Sequence, residues 1–156
     1  AIRYPRGGED TYKFDSCKEI FLGKAELLRD GHDVTIVAIG KMVAVAMRVA
    51  EELNKNGISA EVINARFLKP IDAETINISA NKTNKVVTIE DNIMNCGLAT
   101  TVNNILKSNI KVLNFGYPDE FIKHGTTKEI EAKYELDDKS IYDKIVKFVG
   151  VQNAKQ

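Results

Sequence analysis

The chain has 156 residues, enough for one α/β domain whose single hydrophobic core needs neither metal nor disulfide. Its 22 basic and 22 acidic side chains cancel, which removes the positive excess that a binder of nucleic acid or anionic membrane carries. No apolar run nears the roughly 18 residues that cross a bilayer, and the longest, Met42 to Ala50, is interrupted by Arg48.

Cys17 and Cys96 are too few for a disulfide framework and too far apart for a zinc site, so they read as reduced thiols of a cytoplasmic protein. The opening Ala-Ile-Arg-Tyr-Pro-Arg has no apolar stretch of the kind a signal peptide requires. It lacks an initiator Met and starts in a strand-like stretch, which suggests a fragment with an N-terminal partner elsewhere.

Arg6 to Ser16 is Gly-rich, charged and without period, so residues 1–16 read as an interdomain linker ahead of a domain over 17–150. Ile20 to Leu28 reads as an edge strand or strand pair that ends at the turn dipeptide Asp30-Gly31. Val34 to Ile39 is β-branched and almost wholly apolar, the composition of a strand covered on both faces. Gly40 breaks it. Lys41 to Asn56 then carries apolar residues at 43, 46, 47, 50 and 53, which is helical spacing, with Asn56-Gly57 as the stop.

Ile58 to Ala65 is a further strand, left through Arg66-Phe67-Leu68-Lys69-Pro70. Asp72 is placed to cap a helix through Ala80. Lys85 to Ile89 is a strand closed by Glu90-Asp91, Leu98 to Lys107 a helix, and Ile110 to Phe115 a strand. Thr127 is expected to cap a helix to Tyr134, and Ser140 another that ends near Val149. The tail, residues 151–156, is expected to fray. This alternation predicts an α/β, three-layer αβα domain with a mainly parallel sheet of about five strands, leaving room for an antiparallel edge strand.

Candidate chemistry is sparse. Gly40 could admit a phosphate to a helix N-terminus, but without G-x-G-x-x-G or a P-loop it reads as a tight strand-to-helix turn. His32 sits on a turn, and His124, in a loop, has no adjacent nucleophile. Cys96 reads more simply as a small buried hydrophobe than as a nucleophile. Glu90-Asp91-Asn92 ends a strand, where open α/β sheets gather ligands, yet a capping or domain-facing role fits equally. Arg3 and Arg6 flank the stiff Tyr4-Pro5 and could clamp a phosphate, or be surface arginines.

Several segments, in order, resemble one family. Ala1-Ile2-Arg3-Tyr4-Pro5-Arg6-Gly7 is similar to the stretch joining the second and third domains of the 1-deoxy-D-xylulose-5-phosphate synthases, and Gly23-Lys24 to the start of the third. Arg66 to Asp72 resembles their R-F-x-K-P-(I/L)-D, Val87 to Asn92 their V-T-x-E-(E/D)-N, and Gly116 to Gly125 their G-x-P-D-x-F-I-x-x-G. Met94-Asn95-Cys96-Gly97 departs from the paired small residues frequent there. The core pattern alone would also fit transketolase or the beta subunit of pyruvate dehydrogenase, and a free-standing regulatory domain binding a small anion at Gly40 is a third reading.

The resemblance implies a transketolase-type transferase that decarboxylates pyruvate on thiamine diphosphate with Mg2+ and joins the two-carbon unit to glyceraldehyde 3-phosphate. Its product feeds isoprenoid, thiamine and pyridoxal phosphate synthesis. In that family the coenzyme is held by the first two domains, so this chain is expected to contain no catalytic, cofactor-binding or metal-binding residue and to be inactive alone. Its implied role is structural, supporting a homodimer together with the N-terminal domains, with no nucleic-acid or membrane partner. One substrate contact carries over: Arg6, near the phosphate of the acceptor aldehyde, where a planar guanidinium can bind bidentately. The residues Arg66 to Asp72 and Gly116 to Gly125 lie in loops that the domain's own core does not explain, which points to packing against other domains.

Overall fold

The computed structural model describes Ala1 and residues 19–150. The expected linker beyond Ala1, with Arg3 and Arg6, and also Cys17 and the tail 151–156 lie outside the described residues.

Five strands and five helices follow in the order β1 (Glu26–Arg29), β2 (Val34–Ala38), α1 (Met42–Lys55), β3 (Ala60–Asn64), α2 (Ala73–Thr83), β4 (Lys85–Ile93), α3 (Leu98–Ile105), β5 (Lys111–Tyr117), α4 (Thr127–Lys133) and α5 (Asp138–Val149). The sheet runs β1-β3-β2-β4-β5. Pairs β2–β3, β2–β4 and β4–β5 are parallel, and β1 joins β3 antiparallel, so the expected edge strand is there. It is shorter than Ile20 to Leu28, because the residues before Glu26 form a turn, with Lys24 N donating to Phe21 O at 3.1 Å, and Ala25 N donates to Asp72 Oδ2 instead of to a neighbouring strand.

Alternation along the strands sorts side chains into two cores, one on each face. Ile36, Val62, Val87 and Phe115 pack with Val43, Ala46, Val49 and Leu53 of α1 and with Ile141 and Ile145 of α5. Val37 and Val86, one position along, pack with Ile76 and Ala80 of α2 and Leu98 and Val102 of α3 on the other face. All five residues of β2 are buried, as expected of a strand covered twice.

Two helix starts differ from expectation. Thr126, not Thr127, caps α4: its hydroxyl accepts from Glu129 N, while Glu129 accepts from Thr126 N at 2.9 Å, a reciprocal capping box. Asp137, not Ser140, caps α5 and accepts from Ser140 N at 3.1 Å. Ser140 sits three residues inside, where its own N–H is the group being satisfied. Asp72 caps α2 as expected, accepting from Thr75 N at 3.2 Å.

Candidate functional site at the carboxyl edge of the sheet

After β2 the chain turns to α1 on one face, and after the adjacent β4 it turns to α3 on the other. Such a switch point is where open α/β sheets form a ligand crevice. Lys41, just past β2, and Asp91, within β4, meet there. Lys41 Nζ lies 3.2 Å from Asp91 Oδ2 and donates to Glu131 Oε1 of α4 at 2.8 Å. Tyr117, the last residue of β5, stands beside Asp91 and Lys41. Its ring meets Tyr134 edge-on at 5.5 Å between centroids, and the Tyr134 hydroxyl donates to Glu120 Oε1 at 3.1 Å.

Burial pulls the Lys41 ammonium down, but Glu131 and Asp91 outweigh it and hold it above its ordinary range. Burial, followed by the negative charge of Asp91, pushes the Tyr117 phenol up to about 12. Lys41 is therefore held as a cation and Tyr117 as a neutral phenol, so neither of these two is a general base near neutral pH.

Glu90 is 1% exposed and points the opposite way, under the start of α3. Its Oε2 accepts from Leu98 N and its Oε1 from Ala99 N, both at 2.9 Å. It thus satisfies two of the orphan amides at a helix N-terminus and faces the positive end of the helix dipole. Burial pushes its carboxyl up and the two amides offset only part of that. Gly97, the N-cap of α3, is required by this packing, since a Cβ there would collide with Glu90 Oε2. Of the two roles open for Glu90, capping is the one the geometry shows.

The β3–α2 corner is built from Arg66 to Asp72. Arg66 stands at φ +55 and is turned onto Glu26, with Nη2 to Oε2 at 2.6 Å. Its Nη1 also donates to the Glu19 carbonyl at 3.1 Å. Asp72 accepts from Ala25 N at 3.0 Å in addition to capping α2. Burial raises the Asp72 carboxyl, but the Ala25 and Thr75 amides, the Thr75 hydroxyl and Lys24 together hold it below its usual range. The domain's own packing therefore accounts for much of this motif, contrary to the expectation from sequence. The other loop motif divides: Gly116 is buried against Met94 and Glu90, whereas Phe121 is wholly exposed.

The remaining sequence candidates do not converge. His32 is exposed at the opposite, amino edge of the parallel strands, 3.9 Å from Asp33 Oδ2, and His124 is exposed between β5 and α4. Cys96 is exposed at φ +63, not buried, because its N–H turns in to Thr100 Oγ1 at 3.0 Å and leaves the side chain outside. Gly40 makes the tight turn at φ +61. Arg6 is outside the described residues. Lys41, Tyr117 and Glu131 were missed by the sequence reading. Lys41 could have been found by the same strand-end rule that singled out Glu90 to Asn92, whereas Glu131 gives no local signal.

Among the described residues, no group of three or more His, Cys, Asp or Glu side chains is arranged to hold a metal ion. No helix among them is long and apolar enough to cross a membrane.

Residues 23–141 match the model of the transketolase C-terminal domain family. A 1-deoxy-D-xylulose-5-phosphate synthase of Clostridium acetobutylicum is 45% identical over 95% of this chain, and one of Desulfotalea psychrophila 46% identical over 83%. The chain spans 25% and 21% of those proteins, about a quarter of the length of the curated relatives it matches. Among solved structures, a split-gene transketolase described as an inactive beta4 tetramer superposes with TM-score 0.79 at 33% identity, covering 87% of this chain and 45% of that one. A Pichia stipitis transketolase shares the fold alone, with TM-score 0.55 at 17% identity over 85% of this chain and 19% of that one. With the parallel sheet, its antiparallel edge and the match across residues 23–141 in agreement, this chain belongs to the transketolase C-terminal domain family.

Proposed function

We propose that the chain is the C-terminal domain of a 1-deoxy-D-xylulose-5-phosphate synthase and that it supports a reaction centre built by other domains. The full-length protein would be a transferase, condensing pyruvate with glyceraldehyde 3-phosphate for isoprenoid, thiamine and pyridoxal phosphate synthesis. Relatives of that name match nearly the whole chain while extending about four times as far.

The observation that carries the supporting role is the closure of the carboxyl edge by the domain's own groups. Both Glu90 oxygens are taken by backbone amides, and Asp91 and Glu131 converge on Lys41. Mg2+ asks for convergent oxygen ligands, and a diphosphate asks for unpaired cations or free amides. Among the described residues no His, Cys, Asp or Glu group is arranged for a metal, and Lys41, the cation at the switch point, is already held by two carboxylates, which supports placing thiamine diphosphate and its metal outside this domain. That chemistry is assigned to the N-terminal domains of the same enzyme, in a homodimer working in the cytoplasm.

Arg6 is proposed as the one substrate contact, binding the phosphate of the acceptor aldehyde. Arg6→Lys in the full-length enzyme should raise the KM for glyceraldehyde 3-phosphate far more than that for pyruvate, and equal effects would remove the assignment. The supporting role is tested by deleting residues 17–150 from the full-length enzyme. Loss of turnover and of the dimer is expected, and retention of both would refute it.

A further inference from the structure

One patch at this end of the sheet belongs neither to the core nor to the Lys41 cluster. Ile20, Phe21 and Leu22 are three consecutive large apolar residues that stand 67%, 58% and 76% exposed. Their backbone is held firmly. Arg66 Nη1 donates to the Glu19 carbonyl at 3.1 Å, and Lys24 N closes a turn onto Phe21 O at 3.1 Å. Gly23, at φ +71, lies so close to Pro70 that a Cβ would come within 2.8 Å of its Cγ. Ala25 N is tied to Asp72 Oδ2 at 3.0 Å, and Lys24 Nζ reaches Glu74 at 3.6 Å.

The corner motif Arg66 to Asp72 thus anchors both ends of a turn that displays apolar side chains to water. A loop free to move could fold such residues inward, whereas this one is prevented from doing so. Contiguous exposed apolar residues on a fixed backbone mark an interaction surface.

We propose that this anchored turn, Glu19 to Ala25, docks through Ile20, Phe21 and Leu22 against the preceding domain of the same polypeptide. This rests on the reading of the chain as one domain of a longer synthase. Two observations favour that occupant. The chain makes up a quarter of its relatives and matches a C-terminal domain family, so on the proposed reading the other domains come before it, and the patch begins two residues after position 18 in sequence, close to the join with them. A tethered partner acts at an effective concentration in the millimolar range, at which a small apolar contact suffices. A second copy of the chain would need roughly 800 Å² from each partner, more than three partly covered side chains supply.

Hydrogen exchange in the full-length protein tests the proposal. Residues 19–25 are expected to exchange at least about tenfold more slowly in the wild type than in the double variant Phe21→Asp/Leu22→Asp. Calorimetry of that variant is expected to split one unfolding transition into two. Ile78→Asp, at a residue of α2 that is 66% exposed, is the control and should change neither. Unchanged exchange in the double variant, or the same loss in the control, overturns the inference. So does protection that grows with protein concentration, the signature of a second copy. The two readings fail separately: turnover that survives deletion of 17–150 removes the supporting role, whereas unprotected 19–25 in an enzyme that needs the domain removes only this docking surface.

Discussion

Lys41 and Glu131 stand 90 positions apart in sequence, yet Lys41 Nζ donates to Glu131 Oε1 at 2.8 Å and ties α4 to the switch point of the sheet. Helix α4 buries none of its residues, so it has little else to hold it. The edge-on contact of Tyr117 with Tyr134, the C-cap residue, adds an apolar attachment at its end.

Removing that tie should loosen α4 locally and not the whole domain. In Lys41→Met, amides of 127–133 are expected to exchange about 5–30 times faster, the range that corresponds to one or two kcal/mol. Global stability should fall by no more than about 1 kcal/mol, because the pair is only partly buried. Exchange unchanged in α4 would show that the ion pair does not hold it.

Tyr117 gives a spectroscopic readout of the same cluster. Its phenol, pushed up to about 12 by burial and by Asp91, should ionise after the exposed tyrosines when tyrosinate absorbance is followed against Tyr117→Phe. Asp91→Asn is expected to bring the transition down, and Lys41→Met to push it up further, since Lys41 is the one nearby charge that favours tyrosinate. A folded pKa above the unfolded value of about 10 means that the stability contributed by Tyr117 is full below pH 10 and is lost as pH rises through 12.

Asp72 should show the opposite dependence. Its folded carboxyl lies below its usual range, so its contribution is full above the unfolded pKa of about 3.9 and is lost as pH falls through the lower folded value. Asp72→Asn keeps an N-cap acceptor but gives up the charge that Ala25 N, Thr75 N and Lys24 address. The variant is expected to be about 1 kcal/mol less stable at pH 7 in urea unfolding, with the difference vanishing in strong acid. A difference that persists in acid would point to shape and not charge.

Arg66 combines a favourable side chain with an unfavourable backbone. Its φ of +55 costs a non-glycine residue about 1–2 kcal/mol, while its bond to buried Glu26 contributes about 1.5–3 kcal/mol. Both Arg66→Ala and Arg66→Gly should destabilise, with the glycine variant about 1 kcal/mol the milder because it relieves the backbone. Equal losses from the two would mean that the corner relaxes out of the left-handed region when the side chain is removed.

The fold was legible wherever one local pattern sufficed. Val34 to Ile39 and the helical spacing from Val43 to Leu53 were enough to place β2 and α1, because burial on one or both faces dictates the period. Helix starts were harder where two capping residues adjoin: Thr126 and Thr127 are equivalent by type, and only Glu129 three places on selects Thr126. The site was half legible. Glu90 and Asp91 were marked by their strand end, but whether a carboxylate faces a ligand or a helix amide depends on the loop that returns over it. The meeting of Lys41 with Glu131, and of Arg66 with Glu19 and Glu26, is a property of strand order and leaves no trace in spacing. The outward side chain of Cys96 depends on a positive φ that no composition rule anticipates.

Titrating thiamine diphosphate with Mg2+ into this chain, followed by an assay with pyruvate and glyceraldehyde 3-phosphate, bears most directly on the idea of a supporting domain. The expected result is no saturable uptake of the coenzyme and no product. Tight, stoichiometric uptake or measurable turnover by these residues alone would contradict it.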